Sequence, residues 1–597
     1  MRQPATPSAT SAIALGVGAQ PTLPKQVGGA LGEAGSKDAL ARLTAAVSEL
    51  KALAIAPMLQ AAINALNGGD HLAGGDWAIK VLEKDERNGF AWYLLAMSRE
   101  RAGDFGSSIT CYESALALLP NHAEVANDLG RLAYRMGMLD QAEKLFRHFL
   151  AAKPGHHEGA NNLACAIRDL GRFDEAVAVL KPVVMAKPDM PMLWNTMGTI
   201  VTEQGDAATG QLFFEEALRL DPEFPKARYN LGNTRLVQGD PAGALVECER
   251  AMLGKMTPDE FQMMRLSRST ILLGLGRIGE GWDEYEARLD DQFADVTHFM
   301  VDRPRWAPGD EIKGRSLLVL GEQGLGDEVL FANVLPDVVE ALGPQGRLTL
   351  AVERRMVPLF QRSFPQATVG AHATYKAAGR TARLAPFVED QQTIDLWSPL
   401  GSLLREFRRS AQAFPPHARF LVADPARVAH WRKVLAKAPA GKKVGLLWKS
   451  MIKDGARHRY FSAFEQWAGV LATPGVTFVN LQYGDCTAEI AQARSQFGVD
   501  IWTPPGIDLK QDLDDVAALS CALDLVVGFS NTNLNLAAAC GAPTWLITNP
   551  GSWPRLGSDR YHWYPQARVF APATIGDWEP VMNDIAASLQ TFAGAEH

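Results

Sequence analysis

The sequence predicts two architectures in one chain. An all-α array of paired helices comes first, and an α/β region of two doubly wound parallel sheets follows. Three observations predict this. A 34-residue repeat runs from about Gly89 to about Ala251. From about Arg315, short apolar runs alternate with amphipathic stretches. After the first such run comes a glycine-rich turn, Gly321-Glu322-Gln323-Gly324-Leu325-Gly326-Asp327.

The repeat is read from five features in one register. Trp92, Ala126, Ala160, Trp194 and Arg228 each lie 34 residues after the previous one, the spacing of a tetratricopeptide array. Three residues after each sit Leu95, Leu129, Leu163, Met197 and Leu231. The next position is small (Ala96, Gly130, Ala164, Gly198, Gly232), so two helices of a pair can approach closely. Turn glycines follow at Gly103, Gly137, Gly171, Gly205 and Gly239. Pro120, Pro154, Pro188 and Pro222 end four second helices, because proline cannot continue the hydrogen-bond ladder. A weaker copy around Gly69 and Trp77 to Glu83 precedes the array, and a partial unit from Phe261 to Leu289 follows it, as expected of capping repeats. Ala39 to Leu66 is a long helical stretch that either caps the array or binds a partner helix. Asn127, Asn162, Asn195 and Asn230 fall near the middle of successive first helices. An amide both donates and accepts, so such a ladder can grip an extended peptide, although asparagine is also common at these positions. The paired His156-His157 has no third ligand nearby and reads as a solvated loop.

Composition narrows the function classes. The chain has 597 residues, 47% hydrophobic and 21% charged, which suits two to four soluble domains. A net charge of -8 offers no basic footprint for nucleic acid. No apolar run reaches transmembrane length, so no membrane insertion is expected. Residues 1–37, rich in Ala, Ser, Pro and Gly, read as a disordered tail rather than a signal peptide, since Ala12 to Val17 is short and only Arg2 precedes it. Six scattered cysteines point to reduced thiols in a cytoplasm and to no metal site. The expected organisation is a helical segment at 38–68, the repeat array at 55–290, and two α/β domains at 300–435 and 436–597.

In the α/β half, Ser316 to Leu320 reads as a strand, followed by the turn and a helix from Asp327 to Leu342. The same grammar pairs Arg347 to Val352 with Met356 to Phe364, Val444 to Trp448 with Ala463 to Leu471, and Val476 to Leu481 with Ala488 to Phe497. Leu523 to Gly528, a helix from Asn533 to Cys540, and a strand from Pro543 to Ile547 complete the pattern. Ligands of such sheets sit at the C-terminal strand ends. The turn lacks the Lys-Ser/Thr of a phosphate loop and is not GxGxxG. Gly324 and Gly326 permit close backbone approach to a ligand, and Asp327 stands at the helix start, either as a cap or as a carboxylate able to accept a hydroxyl proton.

Glu322 to Asp327, Val444 to Trp448, Asn480-Leu481-Gln482, Ala517 to Val527, Ala542 to Trp545 and Trp563-Tyr564-Pro565 resemble bacterial tetratricopeptide proteins with a C-terminal GT-B glycosyltransferase domain. Within that group the chain is most similar to flagellin glycosyltransferases that attach nonulosonic acids. The resemblance implies a protein O-glycosyltransferase that holds a protein acceptor, flagellin, and uses a nucleotide sugar, CMP-activated nonulosonic acid, without a metal or other cofactor. It implies that Asp327 is the catalytic base and that Lys449 or Arg459, near Lys453 and Arg457, neutralises the leaving phosphate. Gln482 and Ser530, Asn531, Thr532 and Asn535 would hold the donor. Relatives carry Asp-Thr-x-x-x-His where this chain has Ser530 to Asn535, a neutral, donor-rich set at a helix start. The acidic run Asp512 to Asp515 resembles a metal-binding motif but opens a helix, where carboxylates are favourable anyway. Two other readings stay open: a transferase with a UDP-sugar donor or a lipid or polysaccharide acceptor, and a non-catalytic scaffold or chaperone.

Overall fold

The computed structural model describes residues 33–377, 380–416, 419–450 and 460–595. The chain forms two compact units, residues 1–188 and 189–597. The division therefore falls inside the repeat array.

The first unit is helical: α1 (Glu33–Asn67), α2 (His71–Lys84), α3 (Gly89–Arg101), α4 (Phe105–Leu118), α5 (Ala123–Arg135), α6 (Leu139–Ala152), α7 (His157–Asp169) and α8 (Phe173–Ala186). Asp70, Asn88 and Asp104 cap α2, α3 and α4 with their side chains, so each helix starts where a short acceptor meets free backbone N–H groups. The turn glycines Gly69, Gly103, Gly137 and Gly171 have φ between +75° and +84°. That left-handed conformation is why the turn register demands glycine. Gly130 lets α5 approach α6, since a Cβ there would stand 2.7 Å from the ring of Phe146, itself fully buried. His156 is not a solvated loop residue as expected. It caps α7, its Nδ1 accepting from Gly159 N at 3.2 Å.

Two expectations for the N-terminal region change. Residues 33–37, expected in the disordered tail, belong to α1, and residues 1–32 lie outside the described residues. Leu40–Asn67 is long and apolar enough, by length and composition, to cross a membrane, a test that core helices and signal sequences also pass. The expectation that no run reaches that length is thus corrected. The difference comes from Ala52 to Asn67, where Gln60 and Asn64 interrupt apolar residues without adding charge. The end of α1 is committed to packing: Ile55, Ala62, Ile63 and Leu66 are buried.

The second unit begins with the remaining helix pairs: α9 (Pro191–Gln204), α10 (Ala207–Leu220), α11 (Pro225–Val237), α12 (Pro241–Ala251), α13 (Pro258–Gly274) and α14 (Ile278–Tyr285). A 3-10 turn, Glu286–Leu289, follows. The α/β region then runs β1 (Thr297–Phe299), β2 (Ser316–Leu320), α15 (Leu325–Phe331), α16 (Leu335–Leu342), β3 (Arg347–Val352), α17 (Val357–Ser363), β4 (Thr368–Ala371), β5 (Ala373–Ala377), β6 (Arg380–Leu384), β7 (Leu396–Pro399), α18 (Leu404–Phe407) and α19 (Pro425–Leu435). It continues with β8 (Lys442–Leu447), α20 (Ala468–Leu471), β9 (Val476–Asn480), α21 (Thr487–Phe497), α22 (Leu513–Ala522), β10 (Leu525–Phe529), α23 (Thr532–Ala539), β11 (Thr544–Ile547), β12 (Arg568–Phe570) and α24 (Glu579–Gly594).

Two sheets are wholly parallel, in orders β4-β3-β2-β7 and β12-β11-β10-β8-β9. Strands β2 and β10 are buried throughout, as expected where helices cover both faces. In each sheet the chain order reverses beside the first strand, β2 or β8, and a ligand of such a sheet would sit at the C-terminal ends of those strands. A third sheet, β1-β6-β5, pairs a short parallel strand with an antiparallel hairpin and has no counterpart in the expected pattern.

The last helix pair is built into the α/β core. Trp282 of α14 is fully buried, packs edge-on against Phe331, Trp553 and Trp563, and donates Nε1 to Arg408 O at 2.9 Å. A Cβ on Gly274 would meet Gly551 O at 2.7 Å, and one on Gly557 would meet Gly276 N at 2.6 Å, so backbone touches backbone here. The same logic holds inside the array: a Cβ at Gly198 would stand 2.6 Å from the ring of buried Phe214. Gly198→Val is expected to destabilise the second unit by about 1–3 kcal/mol through overpacking. Chemical denaturation should show it, and an unchanged midpoint would contradict the close α9–α10 approach.

Candidate functional site

The turn after β2 is where the first sheet would hold a ligand. Glu322 is buried and takes two bonds from Arg288, at 2.7 and 2.6 Å, and one from Gly401 N at 2.6 Å. Gln323 then adopts φ +58°, uncommon for a residue with a Cβ. Gly324 is exposed and precedes α15, and its N–H donates to Asp327 Oδ2 at 3.3 Å. Glu328 is buried on the far side, accepting from Glu353 N at 2.9 Å and lying 2.8 Å from His372 Nε2. Arg383 reaches Gly321 O at 2.6 Å. Loss of water around Asp327, reinforced by the Glu322 and Glu328 carboxylates, pushes its carboxyl up to about 6, against the opposing bond from Gly324.

The turn after β10 comes to meet it. Asn535 Nδ2 lies 3.4 Å from Gly326 O. A Cβ on Gly326 would stand 3.4 Å from Asn535 Nδ2 and 3.8 Å from Thr532 Oγ1, so a glycine allows helix starts from two different sheets to touch. Asn531 caps α23, its side chain accepting from Leu534 N at 3.1 Å. Ser530 is exposed and lies beside the buried Tyr561 side chain. Asp327, Gly324, Gly326, Ser530, Asn531, Thr532 and Asn535 are thus gathered in one place.

Several buried polar atoms around these strand ends have no hydrogen-bond partner among the described residues: Asn531 Nδ2, Asn535 Oδ1, Tyr564 Oη, Trp448 Nε1 after β8 and Asn549 Oδ1 after β11. Buried polar groups are nearly always hydrogen-bonded, so this cluster suits a polar ligand.

Other expected site residues have different occupations. Lys449 is paired with Glu489 and donates to Asp485 O at 2.9 Å, so its charge is already answered by α21. Gln482 Oε1 accepts from Trp448 N and Lys449 N, both at 3.0 Å, which fixes the end of β8 and leaves its amide a positioning task. Arg459, with Lys453 and Arg457, lies outside the described residues. Asp514 and Asp515 are spent on Arg362, Arg427 and Trp431, and among the described residues no group of His, Cys, Asp and Glu could hold a metal.

The four repeat asparagines are all buried. In the first unit, Asn127 Oδ1 has no partner among the described residues, and its neighbour Asp128 takes the Tyr93 hydroxyl at 2.6 Å. In the second unit, Asn230 Nδ2 donates to Asn195 Oδ1 at 2.8 Å, so those two amides hold each other. Asn533, within the Ser530 to Asn535 segment expected to hold the donor, donates to Leu481 O and Leu509 O, both at 3.1 Å. Sequence reasoning missed Arg288 and Tyr561, and only the resemblance around Trp563-Tyr564 pointed near Tyr561.

Over 595 residues the chain is 50% identical to Protein FlbA of Caulobacter vibrioides (strain ATCC 19089 / CIP 103742 / CB 15), covering 100% of both chains. The chain belongs to the FlbA family. Tetratricopeptide repeat models match residues 89–154, 127–191 and 196–260, so the helix pairs are tetratricopeptide repeats. Among solved structures, a tetratricopeptide repeat protein from Parabacteroides merdae is 14% identical, covering 39% of this chain and 91% of its own, with a TM-score of 0.36. YrrB, described as a TPR protein with an unusual peptide-binding site, is 18% identical, covering 29% and 90%, with a TM-score of 0.25.

The raised carboxyl of Asp327 has a consequence for stability. With a folded value of about 6 above the ordinary 3.8, the folded chain takes up a proton between those limits. Its favourable contribution is complete below about pH 4 and is lost as pH rises through 6. Asp327→Asn, which keeps the uncharged shape, is therefore expected to raise the melting temperature most at pH 8, by an amount that shrinks as pH falls from 6 to 4. The gain corresponds to about 2–3 kcal/mol at most. Melting curves at pH 4, 6 and 8 check this, and a pH-independent difference would contradict it.

Proposed function

We propose that this chain is a cytoplasmic protein O-glycosyltransferase of GT-B type acting on flagellin. The observation that carries the reading is the meeting of two helix starts from separate parallel sheets at Gly326, with Asp327 on one and Asn531 on the other. A carboxyl that titrates near 6 is ionised at neutral pH yet is more basic than an ordinary aspartate, which suits a general base. In the proposed reaction Asp327 takes the proton of an acceptor serine or threonine hydroxyl. The hydroxyl oxygen bonds to the anomeric carbon of the sugar, and the bond from that carbon to the nucleotide phosphate breaks, the electron pair leaving with the phosphate. The N-terminus of α23 and its neutral donors, Ser530, Asn531 and Thr532, hold that phosphate. The charge of Lys449 is taken by Glu489, and the start of α23 offers neutral hydrogen-bonding groups. A neutral, donor-rich set suits a single phosphate, as in a CMP-activated nonulosonic acid. Tetratricopeptide repeats supply a surface for a protein acceptor, and the FlbA relationship supports a flagellar one.

Nucleotide binding tests the reading. CMP is expected to raise the melting temperature more than UDP, GDP or ADP, since saturation at a hundred times Kd adds about 2.7 kcal/mol to the folded state. Asp327→Ala is expected to keep that shift, because the base does not hold the nucleotide. Preference for UDP would move the donor to a hexosamine type. No shift with any nucleotide would contradict the transferase reading and favour a scaffold.

A further inference from the structure

Glu322 opens the turn that carries Asp327, yet its carboxylate is held from outside both parallel sheets. Arg288 lies in the 3-10 turn that ends the last helix pair. It donates Nε to Glu322 Oε2 and Nη2 to Glu322 Oε1, and both side chains are 3% exposed. Its other bonds go to Tyr285 O, Glu286 Oε1 and Ser402 Oγ, and its guanidinium lies 4.1 Å from the Tyr285 ring centre. A planar fork meets a carboxylate in two parallel bonds, which a lysine cannot reproduce. The next residue, Gln323, is one of two non-glycine residues with positive φ among those described. Such a backbone persists only where its surroundings over-determine it. Arg288 and Gly401, both fixed on Glu322, provide those surroundings.

We infer that Arg288 is a positioning residue for Asp327: from the end of the repeat array it fixes the turn through Glu322 and answers the charge of a carboxylate that acts on the candidate base. The inference deepens the transferase reading and rests on it for its kinetic test, but not for its structural one. The groups that face Asp327 are Glu322 and Glu328 from its own turn and helix, Tyr285 from α14, and Tyr561 and Tyr564 after β11. Of these, Glu322 is the one whose charge Arg288 controls. Without the guanidinium, Glu322 would repel an ionised Asp327 more strongly, and Asp327 would hold its proton to higher pH.

Three variants test this: Arg288→Met, Arg288→Lys, and the double Arg288→Met with Glu322→Gln. The double leaves no buried ion unpaired and so guards against a single variant that fails to fold. In transfer assays from pH 5 to 9, the acid limb is expected to rise by about one unit in Arg288→Met and to return in the double variant. Arg288→Lys should keep the limb in place but lower the rate at least tenfold, since it restores charge and not the fork. In hydrogen exchange, amides of residues 321–331 are expected to exchange at least tenfold faster in Arg288→Met, with β8 to β11 unchanged. An unmoved acid limb in folded Arg288→Met, or one that stays displaced in the double, would overturn the electrostatic role. Unchanged exchange at 321–331 would overturn the positioning role. If the wild-type protein transfers no sugar, the transferase reading fails by itself, and the exchange result still decides whether Arg288 fixes the turn.

Discussion

A buried arginine obliges a fold to bring its partner along, and Arg288 does this at the boundary between repeat and sheet. Removing one member of such a pair typically costs about 3–5 kcal/mol, because the other charge is left without water or counterion. Arg288 therefore cannot be separated from Glu322, and the last helix pair cannot be separated from the turn after β2. Trp282 adds an apolar reason for the same join, packing on rings from both halves of the α/β region. Close by, Arg408 is buried against Asn333 and Asp337, and Asn333 in turn reaches Trp563 O. The candidate site is built on this framework, and Asp327 inherits its position from it.

The electrostatics of the site follow from the same crowding. Three carboxylates, Glu322, Asp327 and Glu328, sit within seven consecutive residues of one turn. Arg288 answers the first, and the third lies beside His372. The middle one accepts the Gly324 N–H in a poorly hydrated setting, and its carboxyl shifts toward neutral pH. On the facing side, α23 begins with amides and hydroxyls rather than charges. The candidate base and the neutral groups proposed to hold an anion thus stand on opposite sides of the Gly326 contact.

Much of the fold was legible because period is legible. Turn glycines, small contact positions and prolines recur every 34 residues for separate physical reasons, and the strand at Ser316 to Leu320 is a plain apolar run. The helix read from Asp327 to Leu342 is broken by a 3-10 turn at Ala332–Val334, just before Pro336, whose ring nitrogen cannot donate back to the preceding turn. The small sheet β1-β6-β5 escaped because its strands are short and lack alternation. Within the site, a chemically suggestive residue was visible but its partner was not. Lys449 looks like a free cation until Glu489, forty residues on, is placed beside it. Asn195 and Asn230 look like peptide grips until their amides are seen to bond each other. Arg288 offered no sequence signal, since its importance comes from a turn 34 residues away.

The most direct test of the central claim is the intact mass of flagellin after incubation with the purified protein and a CMP-activated nonulosonic acid. Added nonulosonate on serine or threonine is expected with the wild-type chain, and none with Asp327→Ala even though that variant still binds flagellin. Undiminished transfer by Asp327→Ala would contradict the role given to Asp327. No transfer by a wild-type chain that binds both flagellin and CMP would contradict the proposed activity itself.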